Sequence, residues 1–254
     1  MISPSGRALN IAHGGALDPS RVNTIEGICD SIASGVDAIE VDVQVTRDRE
    51  PVLFHDSSFY VNERQIRIND LSLCELAAVN AAGQSRPIPL LKDVLDRLRN
   101  TKIFVLLDIK SQDIIDDVMR VIYAANAEDK AWIASFDYSP LVRVKKLYPN
   151  IPTILTVGFS RVMASPLGFL WTIFALLSPI FAAARIRANG ILCPAFRVTR
   201  RLVRRAHHQK VTVFVWQLKD PTKVDYLLDY NIDGLVIDWP APMSCNGGIS
   251  ESKQ

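Results

Sequence analysis

Cysteine is scarce and scattered. Cys29, Cys74, Cys193 and Cys245 lie far apart and form no CxxC pair, which excludes a zinc ribbon, offers no disulfide framework and makes a reducing compartment the expectation. Neither sign of charge dominates, with 29 basic against 27 acidic residues and a formal net charge of +2, so a general nucleic-acid binder is not expected. No GxGxxG or GxxxxGK[ST] string follows an apolar run, which leaves nucleotide binding through such loops unsupported. The first fifteen residues hold no apolar run behind their one basic residue, Arg7, and do not read as a secretory signal. What is present suits a soluble globular chain. Its 254 residues, 48% hydrophobic and 22% charged, can bury a full core without disulfides or a structural metal.

Short apolar, β-rich runs alternate with helical patterns along most of the chain. Strands are expected at residues 9–12, 37–45, 103–109, 131–135, 152–156, 190–193, 211–216 and 233–237, with helices at 24–34, 90–99, 113–126, 140–148, 199–208 and 221–230. A further short strand, 51–55, returns from 37–45 across the turn Arg47-Asp48-Arg49-Glu50. Eight strands with helical crossovers predict an α/β chain folded as a (β/α)8 TIM barrel, with a short β-hairpin after the second strand and one apolar insert; an open doubly wound sheet is the alternative. Residues 1–254 are expected to form a single domain with a frayed polar tail from Met243 onward.

In such a barrel the chemistry sits at the C-terminal strand ends. Glu40 and Asp42 are two apart in IEVDV, so both point to the face that also holds Ala38, while Ile39, Val41 and Val43 point to the helices. Two inward carboxylates need a partner. A divalent cation is one, because hard cations take carboxylate oxygens; a salt bridge to Lys110 is the other. Asp108 ends the third strand and can complete a three-carboxylate site, and Lys110, two residues on, can hold a phosphate. His13 ends the first strand, and a two-residue turn at 48–49 would set His55 opposite Asp42. Two histidines beside such a site can act as acid and base in phosphoryl transfer. Phe136 and Trp216, at two further strand ends, are candidates for the substrate pocket.

IAHGG, Asn23-Thr24, IEVDV and PVLFHD, followed in order by LLDIK, SF, VWQL and DGLVIDWP, resemble the glycerophosphodiester phosphodiesterase family over residues 11–240. The resemblance implies a phosphodiesterase barrel that hydrolyses lipid-derived glycerophosphodiesters to a phosphomonoester and an alcohol. It assigns one divalent cation, Mg or Ca, to Glu40, Asp42 and Asp108, and acid–base work to His13 and His55. Three positions depart from the family pattern: Gly14 stands where the family has Arg, Val22 where it has Glu, and Asp108 where it has Glu. A lysophospholipase D-like enzyme acting on membrane lysolipids and a non-catalytic phospholipid-binding barrel are the alternatives.

Residues 162–184 carry no charge. A single crossing would leave the next strand on the wrong side of the bilayer, and Pro166, Gly168 and Pro179 interrupt the run. The insert, about residues 160–187, is therefore expected to dip into one leaflet as a short hairpin or tilted helix through Phe169, Leu170, Trp171, Ile173 and Phe174. An oligomer contact and a buried lid are the other readings. With docking, the chain is expected in the cytoplasm, peripheral or monotopic at a membrane face.

Overall fold

The structure, a computed structural model, describes residues 7–82, 86–158, 166–218 and 220–239. In chain order its strands and α-helices are β1 (Leu9–Ala12), α1 (Ile25–Ala33), β2 (Ala38–Val45), β3 (Pro51–Leu53), β4 (Ser58–Val61), β5 (Arg64–Arg67), α2 (Leu73–Ala81), α3 (Leu91–Leu98), β6 (Phe104–Ile109), α4 (Ile115–Ala124), β7 (Ala131–Ser135) and α5 (Tyr138–Leu147). There follow β8 (Thr153–Thr156), α6 (Pro166–Leu177), α7 (Pro179–Arg185), β9 (Gly190–Pro194), α8 (Arg200–His208), β10 (Thr212–Trp216), α9 (Val224–Leu228) and β11 (Gly234–Ile237). Strands β1, β2, β6, β7, β8, β9, β10 and β11 pair in that order, all parallel, and β11 pairs back onto β1. The eight-stranded barrel is thus closed, as the alternation of elements predicts.

Each barrel strand sends one set of side chains inward and the other out to the helices. Leu9, Ile11, Ala38, Leu106, Trp132, Ala134, Ile154, Leu192, Phe214 and Val236, with at least one from every barrel strand, fill the interior. Phe104 stacks on Trp132 at 5.0 Å between centroids and Phe214 lies 5.6 Å beyond, plugging the barrel with apolar area below the site. Ile39, Val41 and Val43 join the outer core with Val94, Leu95, Val118 and Ile122 of α3 and α4. Helix starts are capped by short polar side chains: Thr24 accepts from the Gly27 amide of α1, and Thr199 from the Leu202 amide of α8.

Two features differ from the sequence-based expectation. The return strand pairs Val43 with Leu53 and Val45 with Pro51, because the turn holds three residues, closed by Thr46 N–H to the Glu50 carbonyl at 3.0 Å. Phe54, not His55, then lies opposite Asp42, its amide donating to the Asp42 carbonyl at 3.0 Å. Between this hairpin and α3 the chain adds the β4–β5 hairpin and α2, the latter opened by a Ser72–Glu75 capping box, where residues 56–89 carry no sequence-based assignment.

The apolar insert follows the fifth barrel strand, β8, as two successive helices, α6 and α7, in contact through Phe174 and Phe181; of the hairpin and the tilted helix expected, the single tilted helix is the form not seen. Pro166 and Pro179 open them, positions where a missing N–H costs nothing. Residues 160–165 of the expected insert lie outside the described residues. Among those described, no helix is long and apolar enough to cross a membrane.

Candidate active site

Register brings the carboxylates together. Asp42 and Asp108 are direct neighbours across the β2–β6 ladder, and Glu40 lies one inward step below Asp42. One oxygen from each of Glu40, Asp42 and Asp108 falls within a 4.8 Å cluster, and all three residues are buried. They open onto a cavity of about 420 Å³ at the C-terminal end of the barrel. His13, His55, Lys110, Phe136 and Trp216 also line it, so the catalytic, metal and pocket residues expected from sequence converge on one space. Phe169, Leu170, Trp171, Ile173 and Phe174 do not line it; Phe169 and Leu170 are exposed on α6, while Trp171 and Phe174 pack on the outer core.

Three buried carboxylates repel, and each costs several kcal/mol to desolvate unless compensated. Lys110 supplies part of the compensation. Its Nζ lies 2.7 Å from Asp42 Oδ1 and also donates to Asp108 Oδ2, so it sits on the acids rather than standing clear of them. These contacts use two of its three donors and hold its pKa above the ordinary lysine value despite burial. Burial acts upward on Asp42, but the Lys110 ammonium and the Asn23 amide outweigh it and hold the carboxyl below its usual range. Burial wins at Asp108, whose pKa is raised, and at Glu40, where burial and then the Asp42 charge push it up to about 8. Asp108 Oδ1 is buried with no hydrogen-bond partner. The cluster therefore holds more acidic oxygen than the protein's own cations satisfy, and an all-oxygen set of this kind fits a hard divalent cation.

The histidines differ in setting. Nδ1 of His13 lies 2.6 Å from Asp238 Oδ1, and its Nε2 faces the cluster, 3.9 Å from Glu40 Oε2. The Asp238 hydrogen bond, ahead of the opposing effect of burial and assisted by the Glu40 charge, raises the imidazole to about 9. His55 is more open, with Nδ1 3.2 Å from Asp56 Oδ1.

Two residues outside the expected site set, Asp238 and Asn23, shape the site. Asp238 follows β11 in DGLVIDWP and orients His13. Asn23 donates from Nδ2 to Asp42 Oδ2 at 3.0 Å and accepts the Asp42 amide at its Oδ1 at 3.1 Å. Its φ of +55° is one that asparagine tolerates better than most residues; an Asn-Thr pair just before a helix was the available signal. The Gly14 departure also has a structural counterpart. Gly14 has φ +55°, donates its amide to Glu40 Oε2 at 3.0 Å, and leaves a gap that Val22 fills: a Cβ on Gly14 would fall 2.5 Å from the Val22 Cβ. Gly14 and Val22 thus form a packed pair. On the far wall, Phe136 meets Trp216 edge to face at 5.5 Å. Gly158 makes room for them, since a Cβ there would lie 2.8 Å from Phe136. The Trp216 indole Nε1 is buried without a partner.

The model of the glycerophosphoryl diester phosphodiesterase family matches residues 13–241. A glycerophosphodiester phosphodiesterase of Caldanaerobacter subterraneus subsp. tengcongensis is 25% identical over 248 residues, covering 92% of this chain and 95% of the relative. The human lysophospholipase D GDPD1 is 22% identical, over 92% of this chain and 84% of its own length. Among solved structures, an Oleispira antarctica phosphodiesterase in complex with the product sn-glycerol-3-phosphate has the same fold, with a TM-score of 0.74, 19% identity and coverage of 93% and 95% of the two chains.

Proposed function

The chain belongs to the glycerophosphoryl diester phosphodiesterase family, and from that premise we propose that it hydrolyses glycerophosphodiesters to a phosphomonoester and an alcohol, as one barrel domain and with a divalent cation. The observation that carries this reading is the buried Glu40–Asp42–Asp108 cluster beside His13 in the barrel-mouth cavity. Its oxygen surplus, with Asp108 Oδ1 unpartnered, supports a bound cation held by those three carboxylates. The chemistry a cation would supply there is electrostatic: polarisation of the phosphoryl group and stabilisation of the negative charge on its non-bridging oxygens in the transition state.

The chain's own residues carry the proton transfers. His13, with Asp238 on Nδ1 and a pKa of about 9, holds its proton at neutral pH and would give it from Nε2 to the departing alkoxide. His55, on the same cavity, would take the proton of the attacking oxygen as that oxygen bonds to phosphorus and the bond to the alcohol breaks. The attacking oxygen is water, or a neighbouring substrate hydroxyl whose cyclic phosphodiester water then opens. One proton is thus taken up by His55 for each one given by His13. Lys110 keeps one donor beyond its two carboxylate contacts for a phosphate oxygen. The Trp216 indole N–H and the Phe136 face would orient the glycerol moiety. A non-catalytic phospholipid-binding barrel is disfavoured, because binding alone gives no reason to keep two histidines and three buried acids around one cavity.

The test is turnover of glycerophosphocholine and glycerophosphoethanolamine by the purified chain, followed as released glycerol phosphate with Mg, Ca or Mn added and with a chelator. Product formation that depends on the ion is expected. A chain that gives no product with any of the three ions is not such an enzyme.

A further inference from the structure

Charge is unevenly distributed along the chain. Residues 138–219 hold thirteen lysines and arginines and no aspartate or glutamate, whereas the remainder holds sixteen basic and twenty-seven acidic residues. Near neutrality overall therefore conceals a bipolar barrel whose α5-to-β10 part is purely cationic. On the acidic side, arginines are paired, as in Arg7–Asp37, Arg21–Asp30, Arg47–Glu75 and Arg49–Asp117. Among the described residues, Arg200, Arg201, Arg204 and Arg205 on α8 are exposed and have no carboxylate partner.

The same part of the barrel carries an uncovered apolar ridge. Leu167, Leu170, Leu177, Phe181 and Phe196 are between 62% and 80% exposed. On α6, residues 167, 170, 174 and 177 share one stripe, while Ala175 and Leu176 turn to the core. Phe174 meets Phe181 edge to face at 5.8 Å, joining the stripe to α7. The Arg197 guanidinium donates to the Leu176 carbonyl, which draws the 195–197 turn and Phe196 against the end of α6. Trp171 packs on Tyr138 at 4.9 Å. Tyr138 and Phe196 follow the C-terminal ends of β7 and β9, so the ridge lies along the rim of the barrel that holds the active-site mouth.

We propose that this rim is a docking surface for an anionic lipid bilayer, with the α6–α7–Phe196 ridge entering the interfacial layer and the α8 arginines meeting lipid phosphates. Charge selects this occupant. A second copy seated symmetrically on the ridge would set one cationic flank against another, whereas an anionic surface complements both the ridge and its arginines. Docked this way, the mouth of the barrel faces the source of lipid-derived phosphodiesters. The surface goes beyond the hydrolytic reading, and vesicle binding is measured without substrate, so the two stand or fall separately.

The experiment is co-sedimentation of the full chain with vesicles of phosphatidylcholine alone and of equimolar phosphatidylcholine and phosphatidylglycerol. Binding to the mixed vesicles and little to the neutral ones is expected. Leu177→Ser/Phe181→Ser/Phe196→Ser should weaken it by more than about tenfold. Arg200→Gln/Arg201→Gln/Arg204→Gln/Arg205→Gln should weaken it by on the order of a hundredfold or more. Both variants should keep wild-type turnover of a small soluble glycerophosphodiester. If the serine variant does not fold, the glutamine variant decides. The proposal is overturned if the wild type ignores anionic vesicles or binds both kinds equally, or if the folded variants bind as wild type does. It is equally overturned if light scattering finds a wild-type dimer that the serine variant splits, since a second copy then covers the ridge.

Discussion

With Asp238 on its Nδ1, the His13 imidazole is expected to titrate near pH 9 in the chelated protein, and NMR of the labelled imidazole measures this directly. Asp238→Asn should bring the midpoint down and lower kcat by about 10- to 100-fold, with KM little changed, as loss of an orienting partner does. A wild-type midpoint at the ordinary histidine value would show that Asp238 does not hold the His13 proton. His13→Ala and His55→Ala should each lower kcat by about 10²–10⁴ while leaving cation binding in place. Glu40 gives a second pH signature. Its folded pKa, about 8 against an ordinary 4.5, is raised by burial first and by Asp42 next, so the folded chain holds a proton that the unfolded chain has lost. Stability should therefore fall as pH rises from about 4.5 to about 8 in chelator. Thermal melts across that window should show a shallower fall for Glu40→Gln; parallel curves would mean that Glu40 is not strained.

Among the local elements, the turn after β1 is the one most particular to this chain. Gly14 adopts φ +55° and its missing side chain is replaced in space by Val22. Gly14→Ala should cost about 1–2 kcal/mol from the left-handed backbone alone, and more from the contact with Val22. Adding Val22→Gly, which removes the Cβ 2.5 Å away, should recover the contact part and leave the backbone part, a split that denaturant titration of the two single variants and the double variant resolves. A double variant whose cost equals the sum of the two single costs would show that the pair is not coupled. The return hairpin illustrates how legible such elements are in sequence. Its existence followed from alternation around Arg47–Glu50, but its register did not, because a two-residue and a three-residue turn are both compatible with that string. One residue of difference moved His55 past Asp42 and set Phe54 opposite it. The β4–β5 hairpin and α2 were not read at all, since the polar string around 56–70 lacks the alternation that marks a strand.

For the molecule as a whole, the acidic cluster is placed so that a cation bound there would be coupled to the fold. Glu40 and Asp42 come from one barrel strand and Asp108 from its neighbour, so a cation held among them ties β2 to β6. A divalent ion at about 100-fold over its Kd should stabilise the chain by about 2.7 kcal/mol, which corresponds to a rise in Tm of roughly 5–10 °C for a chain of this size. Chelator should reverse the rise. Glu40→Ala and Asp42→Ala should abolish both the rise and the turnover while the far-UV spectrum stays that of the wild type. An unchanged ion-dependent rise in both variants would place the cation elsewhere.

The amino-acid sequence by itself determined the parallel α/β alternation of eight strands, because buried-type strands separated by helical periods admit few packings; that the sheet closes as a barrel rather than staying open was decided by the pairing of β11 with β1. The sequence also determined the pairing of Glu40 with Asp42 on one face, because a strand repeats every two residues. Tertiary structure decided which groups share charge. Lys110 sits across two acids because β2 and β6 are in register there, and Asp238 reaches His13 only because β11 closes onto β1. Asn23 reaches Asp42 from the loop before α1. These contacts join residues up to 225 positions apart, a separation across which no local periodicity carries information; only closure of the barrel brings them within hydrogen-bond distance.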